Sequence, residues 1–334
     1  MKFTHSTLMA FVALLVLLVS CNQRKSEKTK DVTTDKPAAP VFVPGFDADS
    51  AYFYTGKQVS FGPRVPNSAA HKACASWLEG SLRRFTPHVT VQKAKLRASD
   101  GTILDASNLI ASFNPDLRSR VLLCAHWDSR PWADHDPDPG NRRKPIPGAN
   151  DGASGVGVLL EIARQMSLHN PTAGVDIVLF DAEDYGDHQE TYNHSDNSWC
   201  LGAQHWAANP HVPGYSARFG ILLDMVGAEN ASFTMEGTSM YFAPDIMRKV
   251  WNTAARLGYE GYFKTLKTGP LTDDHLYVNQ IIGIPTIDII DYNSNRDKGF
   301  FEHWHTVNDN MDNISRETLR AVGNTVLTVV YETK

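Results

Sequence analysis

Val178-Leu179-Phe180-Asp181-Ala182-Glu183-Asp184-Tyr185-Gly186-Asp187 begins as a buried strand and ends as a crowd of acids. Carboxylates packed this closely repel one another unless positive charge sits among them. The run that feeds into them, GVDIVLFD (174–181), has the continuous apolar character of a strand covered on both faces. The same form recurs at RVLLCAH (120–126), RFGILLDMVG (218–227) and GIPTIDII (283–290). Between these runs lie stretches with helical spacing of apolar residues, at 68–85, 152–166, 244–258 and 315–332. Strands alternating with helices predict α/β layering. No internal repeat or second linker appears, so residues 44–334 should form a single domain.

Nearly every strand run ends in an acid or a histidine: His126 and Asp128, Asp181 to Asp184, Asp224, Asp288. In open α/β sheets, sites form in the crevice outside the carboxyl ends of the strands, so these groups should converge. Asp151 stands where a helix begins, and Asp273, Asp274, His275, His303 and His305 follow later. Singly, each acid reads as loop solvation or a helix cap, and a lone histidine such as His169 or His211 as surface decoration. The ordered set carries the reading. Carboxylates and imidazoles without thiolates suit a zinc-type site that keeps a position open for substrate. A divalent cation would also neutralise the crowded acids.

Composition bounds the rest. The chain has 334 residues, 42% hydrophobic and 21% charged, which is enough apolar material for a substantial core. Its net charge of -5 and lack of a basic tract give no sign of a nucleic-acid partner. Lys2 followed by the apolar run 8–19 suits a signal peptide over residues 1–20. Leu18-Val19-Ser20-Cys21 resembles a bacterial lipobox, which makes Cys21 the expected lipidation site. Residues 22–40 are polar and free of aromatics, so 21–43 should be a lipidated cysteine and flexible linker. The expectation is an exported bacterial lipoprotein that faces the periplasm and meets the membrane only through its lipid. Cys74, Cys124 and Cys200 permit one disulfide at most, with Cys124 a buried thiol.

Taken in order, GPRVPNSAAHKACASWL, AHWDSR, GANDGASGVGVLLEIAR, VLFDAEDYG, LLDMVGA, TDDHLYVNQIIGIPTID and HWHTVNDNMDNI resemble the zinc exopeptidase superfamily. Within it they are most similar to the animal-type glutaminyl cyclases. The resemblance implies a central mixed, largely parallel twisted sheet with helices on both faces. For the aminopeptidases of the superfamily it implies two zinc ions held by His126, Asp151, Asp184, Asp224 and His305, with Glu183 as general base. For the cyclases it implies one zinc, held by Asp151, Asp184 and His305. Asp273 and Trp304 match the cyclase pattern. Three features depart from it: Asp184 replaces a glutamate, Asp288 replaces a histidine, and a tryptophan expected soon after the acid pair is missing, with Gln189 near its place and Trp199 the next one. The loop from Asp184 to Trp199 should therefore be built differently.

The reaction so implied is closure of N-terminal glutamine to pyroglutamate with loss of ammonia, on peptides and exported proteins that begin with Gln. Glu183 would carry the proton, Asp224 and Asp273 would hold the amine, and Trp304 and Trp199, with Trp132 behind them, would line the pocket. The alternative is a di-zinc aminopeptidase using the same cluster. A binding protein without catalysis is disfavoured by the intact Glu183 and ligand set. No Ser or Cys sits in a nucleophile elbow, so no covalent enzyme intermediate is expected.

Overall fold

The computed structural model describes residues 41–188, 190, 191 and 197–334; residues 1–40, with the signal segment, Cys21 and most of the linker, lie outside them, as does Gln189. Residues from Val41 to Lys334 form one compact unit. In chain order its elements are α1 (Ala48–Val59), α2 (Ala69–Phe85), β1 (Val89–Arg97), β2 (Ile103–Phe113), β3 (Arg120–His126), α3 (Ala153–Leu168), β4 (Gly174–Phe180), α4 (Leu201–Ala208) and β5 (Phe219–Asp224). There follow β6 (Phe233–Met235), α5 (Gly237–Phe242), α6 (Pro244–Arg256), β7 (Phe263–Lys267), α7 (Asp274–Tyr277), β8 (Thr286–Ile290) and α8 (Arg316–Tyr331). Among the described residues, no helix is long and apolar enough to cross a membrane.

The main sheet has the strand order β1-β2-β4-β3-β5-β8. β3 runs parallel to β4 and β5, and β5 parallel to β8, while β2 is antiparallel to both β1 and β4. Side-chain alternation splits the buried strands between two cores. Leu123, Ile177, Leu179, Ile221, Leu223 and Ile289 point to the side packed by α1, α2, α3, α6 and α8. Leu122, Cys124, Val178, Phe180 and Leu222 point to the side covered by Trp206 of α4 and by Tyr277 and Val278. The sheet is thus mixed and mostly parallel, with helices on both faces.

Several helix starts are set by short polar side chains that satisfy otherwise unpaired N–H groups. Ser68 accepts from His71 N at α2, and Ser315 from Thr318 N at α8. The start of α3 is different: Gly152, at φ +96°, precedes it without a side-chain cap. A Cβ at Gly152 would stand 2.4 Å from the Asp128 carbonyl oxygen, and one at Gly155 only 2.2 Å from that of Leu223. These glycines let the helix press onto the ends of β3 and β5, which brings Asp151 beside His126 and Asp224.

Two expectations change on inspection, those for Asp288 and His211. Asp288 lies in the middle of β8, paired in register with Leu222, and not at a strand end. Cys74, Cys124 and Cys200 are all buried free thiols, so no disulfide forms among the described residues. His211 is no surface decoration: its side chain is 4% exposed, and its ring accepts from Trp206 Nε1 at 3.3 Å. The antiparallel pair β1–β2 gave no clear sequence signal, because β1 alternates half-buried and exposed residues at an edge.

Gly155→Ala should lower unfolding stability by about 2 kcal/mol, because backbone must move to admit the methyl group. Chemical denaturation would check this, and an unchanged midpoint would mean that the α3–β5 contact is slack.

Candidate metal centre and active site

Three side chains from separate segments meet over the strand ends. His305 Nε2 lies 3.5 Å from Asp151 Oδ2 and 3.4 Å from Asp184 Oδ1. One donor atom from each residue falls within 4.8 Å of the others, and all three residues are buried. Neither carboxylate oxygen of Asp184 has a hydrogen-bond partner among the described residues. Unpaired buried carboxylate oxygens are costly unless a cation meets them. Donors about 2.0–2.1 Å from a tetrahedral zinc stand about 3.3 Å apart, so this donor set fits zinc.

A second group shares Asp151. His126 Nε2 lies 3.1 Å from Asp151 Oδ1 and 3.0 Å from Asp224 Oδ1. His126 thereby supplies positive charge between two acids, at direct hydrogen-bond distance.

The acids divide into two kinds. Asp181 is not part of the centre: it receives Ser107 N at 2.6 Å and Ala182 N at 2.8 Å and pairs with His71 Nε2 at 2.9 Å. Asp128 receives the N–H groups of Glu183 and Asp184 at 3.1 and 3.2 Å. These two hold a loop in which Ala182 adopts φ +54°, a conformation that a non-glycine residue keeps only where its surroundings enforce it. Asp309 does the same for the other ligand loop, accepting from Asn150 N at 2.8 Å and Asp151 N at 3.0 Å. Behind His305, Asp134 stands 3.5 Å from Nδ1 and is gripped by both ends of the Arg130 guanidinium, at 2.9 and 2.6 Å. Arg130 also donates to the Asp184 carbonyl at 3.1 Å.

A cavity of about 150 Å³ opens onto this floor. Asp151, Glu183, Asp184, Asp224, Asp273 and His305 form its polar side. Trp199, Trp304, Phe300, Leu271, Ile290 and Met225 form its apolar side. Trp304 stacks on the His305 ring with centroids 3.9 Å apart, and Trp199 stacks at 6.0 Å. The residues singled out in the sequence as ligands, proton carrier, amine contacts and pocket walls therefore line one space.

Others singled out do not. Trp132 packs against Tyr185 and under Arg130, outside the cavity lining. His275 bonds to Glu236 at 3.1 Å in the layer behind, with Asp288 4.0 Å from its other nitrogen. His303 faces a neighbouring, larger groove. Arg130, Asp134 and Asp309 were missed as supporting residues. The signal was present in the second half of AHWDSRPWAD, and in an acid four positions after His305.

Burial dominates the electrostatics. It pushes Asp184 up to about 6, with Asp151 adding to the rise, and Asp224 up to about 7 although His126 pulls it back. Burial likewise holds Glu183 well above the usual carboxylate range, with Asp184 and Asp273 contributing. For His126 and His305 burial acts downward, but the surrounding acids win and both are raised.

All of these groups bind protons more tightly folded than unfolded. Their contribution to stability is therefore fullest below the ordinary carboxylate value of about 4 and drains away as pH climbs through about 7. Chelator-treated protein should melt at a lower temperature at pH 7.5 than at pH 5.5, and added zinc should raise the melting temperature more at the higher pH. A zinc increment that is the same at both values would show that the cluster is not the binding site. Asp134→Ala should weaken zinc binding by about 10- to 100-fold, since it removes the partner that orients His305. Titration against a competing chelator would measure this.

Known proteins with this architecture bear on the reading. The model of peptidase family M28 matches residues 108–330. A Zn-dependent exopeptidase from Parabacteroides distasonis is 55% identical, with a TM-score of 0.86, over 87% of this chain and 100% of that one. Bacteroides thetaiotaomicron glutaminyl cyclase, solved bound to N-acetylhistamine, is 54% identical, also at 0.86, over 88% of this chain and 100% of that one. Bovine glutaminyl-peptide cyclotransferase is 25% identical over 245 residues, or 64% of this chain, and the match spans 62% of the bovine protein. With the M28 match running through His126, Asp151, Asp184, Asp224 and His305, this chain belongs to peptidase family M28.

Proposed function

We propose that the chain is a zinc-dependent glutaminyl-peptide cyclotransferase, converting N-terminal glutamine of peptides and exported proteins to pyroglutamate with release of ammonia. The observation that carries this is the cavity: one small, apolar-walled space with Glu183, Asp224 and Asp273 converging at its polar end. Its volume, about 150 Å³, lies between those carboxylates and a wall of aromatic and aliphatic side chains, which suits a side chain that carries an amine. The likeness to bacterial glutaminyl cyclases supports the same reading.

In this reading one zinc per chain is held by Asp151, Asp184 and His305. When bound it supplies Lewis-acid polarisation of the γ-amide carbonyl. Asp224 and Asp273 receive the α-amine in its neutral form, its extra proton having gone to solvent, and aim its nitrogen at the amide carbon. Glu183 removes a proton as the bond between the α-nitrogen and that carbon forms, and returns it to the amide nitrogen as ammonia leaves. An α-amine titrates at about 7.7–8.0. A buried Glu183, held well above the usual carboxylate range, is closer to that value than a free glutamate and so suits a reversible proton carrier. Trp304, Trp199 and Phe300 keep water from the amide, which matters because hydrolysis would compete with closure. Ring closure is intramolecular, so holding the substrate's geometry contributes much of the rate.

His126, Asp151 and Asp224 also bring three donor atoms within 4.8 Å of one another, so zinc content per chain is measured beside turnover. We further propose that residues 1–20 direct export and that Cys21 carries the lipid. The domain would then work on the periplasmic side of a membrane, on tethered or newly exported chains.

A Gln-initiated and a Leu-initiated peptide, incubated with zinc-loaded protein and followed by mass spectrometry, test the reading. The expected outcome is loss of one ammonia from the first peptide, abolished by chelation, and no change in the second. Release of the first residue from either peptide would make the chain an aminopeptidase. Glu183→Gln should keep zinc and lose at least about a hundredfold in kcat. Asp273→Ala should cost about 10- to 100-fold in kcat/KM, as expected for one charge-assisted hydrogen bond to the amine.

A further inference from the structure

The N-terminus of α4 presses on the loop that carries Glu183. Cys200, the residue just before the helix, adopts φ +58° and ψ +33°, a left-handed conformation unfavourable to a side chain of this kind. Local contacts enforce it. The Cys200 N–H donates to the Glu183 carbonyl at 2.9 Å, and the Leu201 N–H donates to that of Ala182 at 3.1 Å. A Cβ at Gly202 would stand 2.0 Å from the Asp181 carbonyl oxygen, so the helix start lies directly on the acid loop. In this setting the Cys200 thiol, fully buried, donates to Glu183 Oε1 at 3.3 Å. Its sulfur, a Glu183 oxygen and an Asp273 oxygen all lie within 4.8 Å of one another.

We propose that Cys200 is a positioning residue for Glu183, its thiol fixing Oε1 so that Oε2 is left for the proton in transit. This rests on Glu183 as the proton carrier. The choice of a thiol has a chemical rationale. A strong donor would stabilise the carboxylate and make it a poorer base, whereas S–H donates weakly and orients the group at little loss of basicity. Burial, reinforced by the charge of Glu183, holds the thiol well above its usual range, so it stays protonated and remains a donor. Among the described residues, the other two cysteines, Cys74 and Cys124, lie elsewhere in the two cores and make no such contact.

The test compares kcat and KM on a Gln-initiated peptide for zinc-loaded wild type, Cys200→Ala, Cys200→Ser, Glu183→Gln and the Cys200→Ala/Glu183→Gln double variant, with zinc content measured for each. Cys200→Ala should lower kcat about tenfold while leaving KM within about twofold. Cys200→Ser should restore part of that loss, because a hydroxyl positions Oε1 but, as the stronger donor, makes Glu183 a weaker base. In the Glu183→Gln background Cys200→Ala should have no further effect, because residues acting through one another are not additive. Wild-type kcat in Cys200→Ala, equal losses in the Ala and Ser variants, or the same fold loss in both backgrounds would each overturn the proposal. If Cys200→Ala does not fold, the infrared S–H stretch of Cys200, assigned by difference against Cys200→Ser, decides: it should move on Glu183→Gln, and an unmoved band overturns the inference. Normal turnover by Glu183→Gln would instead remove the reading of the site itself, so the two failures are distinct.

Discussion

The structure depends on keeping several buried carboxylates close together. Asp151, Glu183, Asp184, Asp224 and Asp273 share one cavity, and each charged neighbour raises the cost of ionising the next. Positive charge answers that cost. His126, wedged between Asp151 and Asp224, and Arg130, 3.7 Å from Asp184, are built into the fold. A further source is the ion for which Asp151, Asp184 and His305 are spaced. Much of the architecture follows from this requirement: parallel strands that end together, a helix whose glycines let it sit on those ends, and loops pinned into unfavourable backbone conformations.

Those loops are pinned by acids that lie outside the cavity lining. Asp128 and Asp309 each collect backbone N–H groups, and Asp181 collects two more together with His71. Each holds two backbone N–H groups at once, so these residues serve as rigid staples. Around His305 the same role falls to the Arg130–Asp134 pair, while Trp304 and Trp199 stack parallel to its ring and line the cavity.

The sequence carried the parallel half of the sheet plainly, because β3, β4, β5 and β8 are covered on both faces and read as unbroken apolar runs. The antiparallel half was hard to read. β1 lies at the sheet edge and β2 mixes buried and exposed positions, so neither shows a clean period. The convergence of Asp151, Glu183, Asp184, Asp224, Asp273 and His305 was legible from their places after strands and before helices. The distinction between ligand acids and staple acids was not, since Asp181 and Asp184 are chemically identical and differ only in which N–H groups surround them. His211 and Cys200 were misjudged or passed over for the same reason: their partners, Trp206 and Glu183, are brought to them by the fold.

Separating staples from ligands has an evolutionary consequence. Because Asp128, Asp181 and Asp309 fix the backbone independently of any ion, side chains at the ligand and amine-binding positions can change without refolding their loops. A scaffold organised this way can explore peptide hydrolysis, ring closure or altered metal stoichiometry through a few substitutions at its floor, while the frame beneath stays in place.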